Sequence, residues 1–318
     1  MTPTQLRAFA AVVRLGSVKG AAADLHVSEA AVSLHIGQLR KELGDKLFLR
    51  TAAGLAFTPG GLRLASRSAE LLGLQDQTIL EVRRAGSGRR LLRVAASNLF
   101  AEHSAPGLIG LFADRAKDLD VELSIHNSAQ FDKLLLTRSV DATVGPRPDA
   151  ADDAFTSRHF LNYQIIAVVH PDHPMTRTHP SAGVLRDQTW LLGPTAASKV
   201  GVVPAMLHRM KVPEEHQQIF QSHAAALQEA KRGKGIALVV SFAAAQDIAS
   251  GDLARLPGPL LQANGGWHIT TLGNGNAPSS AEELTRFVTT PRAAQAMLRG
   301  SGSTPGHFKP SIYVTLWS

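Results

Sequence analysis

The chain has 318 residues, of which 44 % are hydrophobic and 19 % charged; this balance is typical of a folded globular protein with two or three domains. It contains no cysteine, which excludes a disulfide framework, thiolate metal sites and cysteine nucleophiles. Residues 1–14 lack the basic start and apolar run of a signal peptide. No uninterrupted apolar stretch approaches the ~18 residues that a membrane span needs. We therefore expect a cytoplasmic protein with no membrane partner.

Positive charge is concentrated in the first third of the chain. Residues 1–90 contain 13 Lys and Arg against 7 Asp and Glu, whereas residues 91–318 contain 20 against 19. Such a distribution is typical of a module that binds a polyanion, joined to a neutral one. A solvated basic surface with no partner is the alternative that charge alone leaves open.

Residues 3–44 predict three short helices. In the first, apolar side chains recur at helical spacing, at Leu6, Phe9, Ala10 and Val13. Ser17 and Ser28 stand where the next two helices need N-caps, and Gly16 and Gly44 stand where the chain must leave a helix. The residues expected to face inward are Val18, Ala22 and Leu25 in the second helix and Val32, Ile36, Leu39 and Leu43 in the third.

A hairpin and a long helix are expected next. Leu47–Arg50 and Leu55–Phe57 predict two short strands around a turn. Thr58 followed by Pro59 is typical of a helix start, and we expect this helix to run to about Ala85. A weak seam for pairing two chains is predicted at Ala65, Leu72 and Ile79, with Ser68, Gln75 and Val82 between them. A single helix docked on its own domain is the alternative.

Beyond the Gly-Ser-Gly sequence at residues 86–88, strands alternate with helices, a pattern that favours parallel sheets with right-handed crossovers. The predicted strands are Leu91–Ala96, Val121–His126, Ala142–Val144, Ile165–Val169, Trp190–Leu192, Gly235–Val240 and His268–Leu272. The predicted helices are Pro106–Phe112, Phe131–Thr137, Val202–Met210, Ala224–Arg232 and Ala281–Phe287.

The second and third helices, joined by a tight turn, form a helix-turn-helix pattern, in which the third helix enters the major groove of DNA. Opposite its buried stripe lie the candidate contact residues Glu29, Ala30, Ser33, Leu34 and Gly37. Arg40 and Lys41 continue this face toward the DNA backbone, and Arg50 lies on the hairpin that forms a wing.

The N-terminal segments that predict these elements resemble the signature of LysR-type transcription regulators, nearly continuously over residues 4–67. They are Leu6–Phe9, Gly16-Ser17, Ala21–Ala23, Leu25–Ser28, Ala31–Ser33, Gln38-Leu39, Glu42–Gly44, Leu47-Phe48 and Thr58–Gly61, together with Ile36 and Arg50. The second part of the chain resembles the family more loosely, at Asp141-Ala142, His173-Pro174, Gly233, Gly235–Ala237 and Gly251–Leu253.

The resemblance implies an N-terminal all-α winged helix-turn-helix at residues 1–60, with a linker and dimerisation helix at 58–88. A C-terminal α/β sensor domain would follow at 91–298, two-lobed like periplasmic binding proteins, before a tail at 299–318. Lobe I would comprise about 91–163 and 269–298, and lobe II about 164–268. The hinges would lie near 162–164 and 267–268.

The resemblance also implies partners. The chain would form a homodimer or homotetramer, bind double-stranded DNA at an interrupted inverted repeat, and contact RNA polymerase. A small-molecule effector would lie between the lobes. No enzymatic activity, cofactor or metal is implied.

Carried over from the family, the DNA-binding residues are Ser28, Glu29, Ala30, Ser33, Leu34, His35, Arg40 and Arg50. This sequence departs from the family pattern at three of them, since the family usually has Gln, then Pro or Ser, at the positions of Glu29 and Ala30, and often Arg at Leu34. A glutamate cannot bind adenine as glutamine does, but it can accept a hydrogen bond from cytosine N4.

Polar residues follow three predicted strands of the sensor half, where the family pocket lies. The candidate effector-binding residues are Ser97, Asn98, Asn127, Ser128, Thr195, Ser198 and Lys199. Helix N-termini at such places favour anions, so we expect a small carboxylate or a phosphorylated metabolite. Helix caps with no ligand role are the alternative for each residue.

Other interpretations are weaker. His170 and His173 have a spacing seen in metal sites, but they lie in a Pro-rich turn without a second ligand pair. A cytoplasmic solute-binding protein that shares the sensor fold would not need the basic N-terminal third. An enzyme would need a catalytic constellation, and no Gly-x-Ser-x-Gly elbow or phosphate loop is present. In the tail, the side chains from Tyr313 to Trp317 alternate as they would in a strand.

Overall fold

A computed structural model describes residues 1–51, 54–86, 88–146, 153–177, 181–198 and 201–299. The chain divides into two compact units, one built mainly from residues 1–87 and the other from residues 88 onward. The predicted strand of the tail lies outside the described residues. None of the described helices is long and apolar enough to cross a membrane.

The first unit is a winged helix-turn-helix, as predicted. Its elements are α1 (Pro3–Leu15), α2 (Val18–Asp24), α3 (Glu29–Leu43), β1 (Phe48–Thr51), β2 (Gly54–Phe57) and α4 (Pro59–Ala85). The strands β1 and β2 pair in antiparallel register from Phe48 opposite Phe57 to Thr51 opposite Gly54. The wing is therefore a short hairpin that leads directly into the long helix α4.

The predicted caps define the ends of these helices. The hydroxyls of Ser17 and Ser28 accept backbone N–H groups in the first turns of α2 and α3. Gly16 and Gly44 close α1 and α3 in the left-handed conformation, which glycine adopts without steric strain. Thr58 caps α4, because its hydroxyl accepts the N–H of Gly61 at 2.9 Å.

We expect the Ser28→Ala substitution to lower the free energy of unfolding of the first unit by about 1 kcal/mol, the usual effect of losing an N-cap. The Ser28 hydroxyl accepts the N–H of Ala31 at 3.1 Å, and alanine cannot replace that acceptor. Urea denaturation of the full chain, followed by helical circular dichroism, measures the change. Ser28→Asn keeps a capping oxygen and should restore stability; equal stability of the alanine and asparagine variants would contradict a capping role.

The core of the first unit is apolar and draws on all three short helices and the hairpin. It comprises Ala8, Phe9, Ala11, Val12, Val18, Ala21, Ala22, Val32, Ile36, Leu39, Leu47 and Phe48. Two predictions for this core are wrong. Leu43, in the last turn of α3, is 43 % exposed instead of buried. The buried face of α1 is also broader than predicted, because α1 contacts α2, α3 and α4 at once.

The predicted seam of α4 is partly used within its own unit. Ser68 is buried, and Ala65 packs against the helix-turn-helix core. The large apolar residues exposed further along the helix are Leu71, Leu74, Ile79 and Val82. At about 100° of rotation per residue they share one face of the helix. We call this face the α4 ridge.

Within its described residues, the second unit is an α/β domain around one sheet of nine strands. Its strands are β3 (Arg90–Ala96), β4 (Leu119–Ile125), β5 (Ala142–Gly145), β6 (Phe155–Val169), β7 (Trp190–Leu192), β8 (Gln217–Ile219), β9 (Ile236–Val240), β10 (Ala254–Arg255) and β11 (Gln262–Leu272). Its helices are α5 (Asn98–His103), α6 (Ala105–Arg115), α7 (Phe131–Leu136), α8 (Ala182–Arg186), α9 (Val202–Met210), α10 (His223–Lys231), α11 (Ala245–Ser250), α12 (Ser279–Val288) and α13 (Pro291–Arg299).

The sheet is mixed, which corrects the prediction of parallel sheets. Its order is β4-β3-β5-β11-β6-β9-β7-β8, with β10 added beside β6. The trio β4-β3-β5 and the trio β9-β7-β8 are each internally parallel. Between them, β6 and β11 run antiparallel to each other and to their neighbours.

The long strands β6 and β11 connect the two lobes of the sheet. β5 pairs with the end of β11, at His268–Thr270, whereas β9 pairs with the end of β6, at Ile165–Val168. A register shift interrupts the β6–β11 ladder between Trp267 and His268. One end of the β6–β11 pair therefore lies beside the trio β4-β3-β5 in one lobe. The other end lies beside the trio β9-β7-β8 in the other lobe.

A buried ion pair joins two strands of lobe I. The Arg93 guanidinium donates to Asp141 Oδ1 at 2.7 Å, and the backbone N–H of Arg93 donates to Asp141 Oδ2 at 2.8 Å. Their side chains are only 13 % and 5 % exposed. The Asp141 carboxylate therefore fixes the position at which the chain enters β5.

Candidate functional site

The exposed face of α3 carries most of the predicted DNA-binding residues. Val32, Ile36 and Leu39 are buried on the opposite face, so the helix turns a continuous surface outward. On that surface Glu29, Ala30, Ser33, Leu34 and Gly37 are all exposed, and Leu34 is 59 % exposed. Small side chains dominate this surface, which allows a helix to approach base edges closely in a major groove.

Two predicted contact residues are placed differently, and a third is described only in its backbone. The Arg40 guanidinium donates to the carbonyl of Phe48 at 2.7 Å and lies 4.6 Å from the centroid of its ring, so it ties α3 to the wing. His35 is half-buried, and its Nδ1 atom has no hydrogen-bond partner among the described residues. The backbone of Arg50 lies in β1, but its side chain lies outside the described part.

A cavity lies between the lobes of the second unit, with a volume of about 60 Å³. One water molecule needs roughly 10–15 Å³ of such space, so the cavity can hold a group of a few atoms. Its walls include six of the seven predicted effector-binding residues: Ser97, Asn98, Asn127, Ser128, Thr195 and Ser198. The seventh, Lys199, lies outside the described residues. The structure thus gathers residues from three loops that are far apart in the sequence.

Several groups of the cavity wall can donate hydrogen bonds. Ser97 is 6 % exposed; it stands at the start of α5 without capping it. In the described part of the chain, neither the Ser97 hydroxyl nor the indole N–H of Trp267 has a hydrogen-bond partner. Burial raises the pKa of Tyr163 to about 12, so this wall residue keeps its phenolic proton. None of the described lining residues carries a carboxylate.

Two hydrogen-bonded links join the lobes beside this cavity. The Ser198 hydroxyl donates to Asn127 Oδ1 at 3.4 Å. On the other side, the Glu102 carboxylate of α5 accepts the backbone N–H of His223 at 2.8 Å and that of Ala224 at 2.6 Å, at the start of α10. These bonds connect the two walls of the cavity directly.

The Glu102 carboxylate also contacts the ring of His223, since Oε2 lies 2.8 Å from Nδ1. The other ring nitrogen, Nε2, lies 2.6 Å from the hydroxyl of Thr195. Burial alone would raise the pKa of Glu102, but the hydrogen bonds from the side chain and backbone of His223 and from Ala224 lower it to about 2. The carboxylate is therefore ionised at neutral pH.

The ligand atoms of Glu102, His103 and His223 lie within 4.8 Å of one another, close enough to suggest a metal centre. Both oxygens of Glu102 and both ring nitrogens of His223 are already engaged in hydrogen bonds. The arrangement fits a hydrogen-bonded link better than a set of open ligands. In the turn after β6, the Nδ1 atoms of His170 and His173 accept backbone N–H groups two residues on.

Sequence reasoning missed several residues of this site. Tyr163 and Trp267 pack against each other with ring centroids 4.6 Å apart and planes inclined by 31°, and both line the cavity. The glycine at position 265 is the one sequence feature that relates to Tyr163. A Cβ atom at position 265 would lie 2.3 Å from the phenol ring. Glu102 and His223 are separated by 121 residues, and nothing in the sequence connects them.

Comparison with known proteins gives two family matches. Residues 3–62 match the profile described as "Bacterial regulatory helix-turn-helix protein, lysR family". Residues 85–290 match the profile described as "LysR substrate binding domain". The matches cover both units and leave only short segments unassigned.

Individual relatives agree with these matches. The chain is 52 % identical over 321 residues to an uncharacterized HTH-type transcriptional regulator of Mycobacterium tuberculosis, with 100 % of each chain covered. It is 32 % identical over 193 residues to the HTH-type transcriptional regulator CbbR of Rhizobium meliloti, covering 58 % of this chain and 57 % of that protein.

Solved structures share the fold. Full-length OxyR from Pseudomonas aeruginosa matches with a TM-score of 0.55 at 20 % identity, covering 92 % of this chain and 99 % of that one. CbnR, a LysR family transcriptional regulator, matches with a TM-score of 0.56 at 20 % identity and the same coverages.

Proposed function

Because this chain belongs to the LysR family of bacterial transcription regulators, we propose that α3 recognises operator DNA and that the cavity of the second unit binds a small anionic effector. The protein combines a helix-turn-helix with an effector-binding domain. The exposed face of α3, with Ser33 near its centre, supports the first assignment.

On DNA, phosphate contacts from Lys and Arg supply much of the affinity, and contacts to base edges supply specificity. Ser28, Glu29, Ala30 and Ser33 occupy the first turns of α3, the part of a recognition helix that contacts bases. We assign Arg40 a positioning role, because its guanidinium holds Phe48 of the wing. Self-association through the α4 ridge would place two such helices on an interrupted inverted repeat, and RNA polymerase would be contacted from that site.

We infer an anionic effector from the composition of the cavity wall. Ser97, Tyr163 and Trp267 offer donors, and the described lining residues bring no carboxylate to balance a cation. An anion receives the strongest hydrogen bonds from such a wall, because charge-assisted bonds are about twice as strong as neutral ones. The start of the nine-residue helix α9 also lines the cavity.

A thermal-denaturation panel tests the effector class. Small carboxylates and phosphorylated metabolites are compared with amines and neutral sugars of equal size. A ligand that binds only the folded state raises the melting temperature in proportion to the logarithm of its concentration over Kd. Stabilisation confined to amines or neutral compounds would overturn the anionic assignment, while leaving the family and the DNA-binding role untouched.

We expect Ser97→Ala to lower the affinity for the anion identified in this panel by about 5- to 10-fold, the effect of one lost hydrogen bond. Calorimetric titration measures the change. The unliganded protein should not lose stability, because the variant removes a buried hydroxyl that has no partner among the described residues. Ser124→Ala is the matched control, since that hydroxyl bonds the carbonyl of Val94 within the sheet. Equal affinities of the two variants would remove Ser97 from the binding site.

A further inference from the structure

A chain of three polar side chains runs from the effector cavity into the junction of the two lobes. Thr195 lines the cavity, His223 lies behind it with 2 % exposure, and Glu102 reaches His223 from the other lobe. A Cβ atom at position 193 would lie 2.3 Å from the His223 ring. Gly193 therefore makes room for the imidazole directly against the loop that carries Thr195.

The charge of Glu102 decides how this chain is hydrogen-bonded when His223 is neutral. A carboxylate only accepts hydrogen bonds, so Nδ1 of His223 must carry its proton toward Glu102. Nε2 then has a lone pair, and the Thr195 hydroxyl must donate to it across 2.6 Å. In this state Thr195 turns only oxygen lone pairs toward the cavity, which repel an anion.

Protonation of His223 reverses the direction of the hydrogen bond between its Nε2 atom and the Thr195 hydroxyl. Both ring nitrogens of an imidazolium are donors, so Nε2 donates to the oxygen of Thr195. The O–H bond of Thr195 is then free to point toward the cavity. The imidazolium pairs with the ionised Glu102 at 2.8 Å. In this state Thr195 donates to the ligand, and a positive charge lies one side chain behind it.

We propose that Glu102, His223 and Thr195 form a proton-linked relay, in which an anionic group binds at Thr195 together with one proton on His223. This inference rests on the proposed function, because it assumes that the cavity takes an anion, and it adds how that anion is sensed. Since the relay spans both lobes, the proton also strengthens the link that holds them together.

The titratable side chains that face His223 come from the helix of the other lobe. Glu102 and His103, both on α5, are its titratable neighbours. Burial lowers the pKa of His103 to about 4, helped by the proximity of His223 and opposed by Glu102, so His103 stays neutral. The strands packed against α10 contribute apolar core residues. Further along the helix, Lys231 pairs with Asp247 and Glu229 with Arg232.

Calorimetry with sulfate tests the relay without knowledge of the effector. Sulfate stays a dianion throughout the range in which a histidine titrates, so protons that accompany its binding come from the protein or the buffer. Titrations of the full chain in buffers with different ionisation enthalpies give the number of protons bound. We expect up to about one proton per sulfate, and an affinity that falls about tenfold per pH unit where His223 is neutral before binding.

Two variants and a control localise the proton. Glu102→Gln removes the charge that stabilises the imidazolium, and His223→Gln removes the titrating group; both should bind sulfate without proton uptake. His216→Gln is the matched control, because this half-buried histidine of the same lobe bonds the carbonyl of Arg186. It should behave as the wild type.

Nitrogen NMR of the full chain labelled at histidine gives a second readout. The resonances of His223 are assigned by their loss in His223→Gln. At high pH we expect the tautomer with its proton on Nδ1, and protonation of both nitrogens once sulfate binds. These signals distinguish a working relay from a variant that has merely lost its fold.

The outcomes separate the relay from the proposed function. Sulfate binding with no proton uptake at any pH, or with His223 protonated on Nε2 alone, overturns the relay and leaves the anionic site standing. Absence of sulfate binding at every pH overturns both the anionic site and the relay. Proton uptake that survives in His223→Gln overturns the relay by placing the proton elsewhere.

Discussion

Replacing Ser33 by glutamate is expected to weaken operator binding on the order of 100-fold, or about 2.7 kcal/mol. Ser33 is exposed on the outward face of α3, so a longer side chain there does not disturb the core of the first unit. At the DNA it would take the space of a base edge and bring a carboxylate close to phosphates. Loss of one base contact usually costs about 1–3 kcal/mol, and charge repulsion adds to this.

The measurement starts from genomic DNA, because the wild-type protein itself selects the fragments that contain its operator. Fragments enriched by the wild type at a fixed salt concentration become the probes for quantitative footprinting. Gln218→Glu is the matched control, because it adds the same charge at an exposed position of the edge strand β8. A Ser33→Glu variant that footprints like this control would show that α3 does not lie in the groove.

The first unit was predictable because its signals are local. The N-caps at Ser17 and Ser28 and the stop at Gly44 act within one helical turn, so the sequence around each is sufficient. Burial was less predictable, since it depends on which neighbours a helix meets. Leu43 continues the apolar stripe of α3, yet it is 43 % exposed.

The second unit was predictable where strands are buried and apolar, as at Trp190–Leu192. The first half of β6, from Phe155 to Asn162, is mostly exposed and polar, so no apolar pattern marks it. Its antiparallel pairing with β11 was missed for the same reason. Six polar residues of the cavity wall could be proposed because they follow strand ends. Their partners Glu102 and His223 could not, because only the folded chain brings them together.

Replacing both Leu74 and Val82 by glutamate is expected to produce a monomer and to lower operator affinity by about 10²- to 10⁴-fold. These side chains are 44 % and 69 % exposed on the α4 ridge, whose apolar residues suit burial against a second copy. In a two-fold interface each substitution occurs twice and meets its symmetry mate or its neighbours. Four carboxylates would then enter an apolar contact, where an unpaired charge is strongly unfavourable.

The DNA effect follows from losing the link between two half-site contacts. A tethered second module binds at a high effective concentration, which raises overall affinity by about 10²- to 10⁴-fold without any new contact. Sedimentation measures the oligomeric state and footprinting the affinity. Leu62→Glu is the matched control, because Leu62 is 58 % exposed on the opposite side of the same helix and should leave the dimer intact. A double variant that remains dimeric would refute pairing through the α4 ridge. A monomer with undiminished operator affinity would instead refute cooperative binding of two half-sites, because one recognition helix would then suffice.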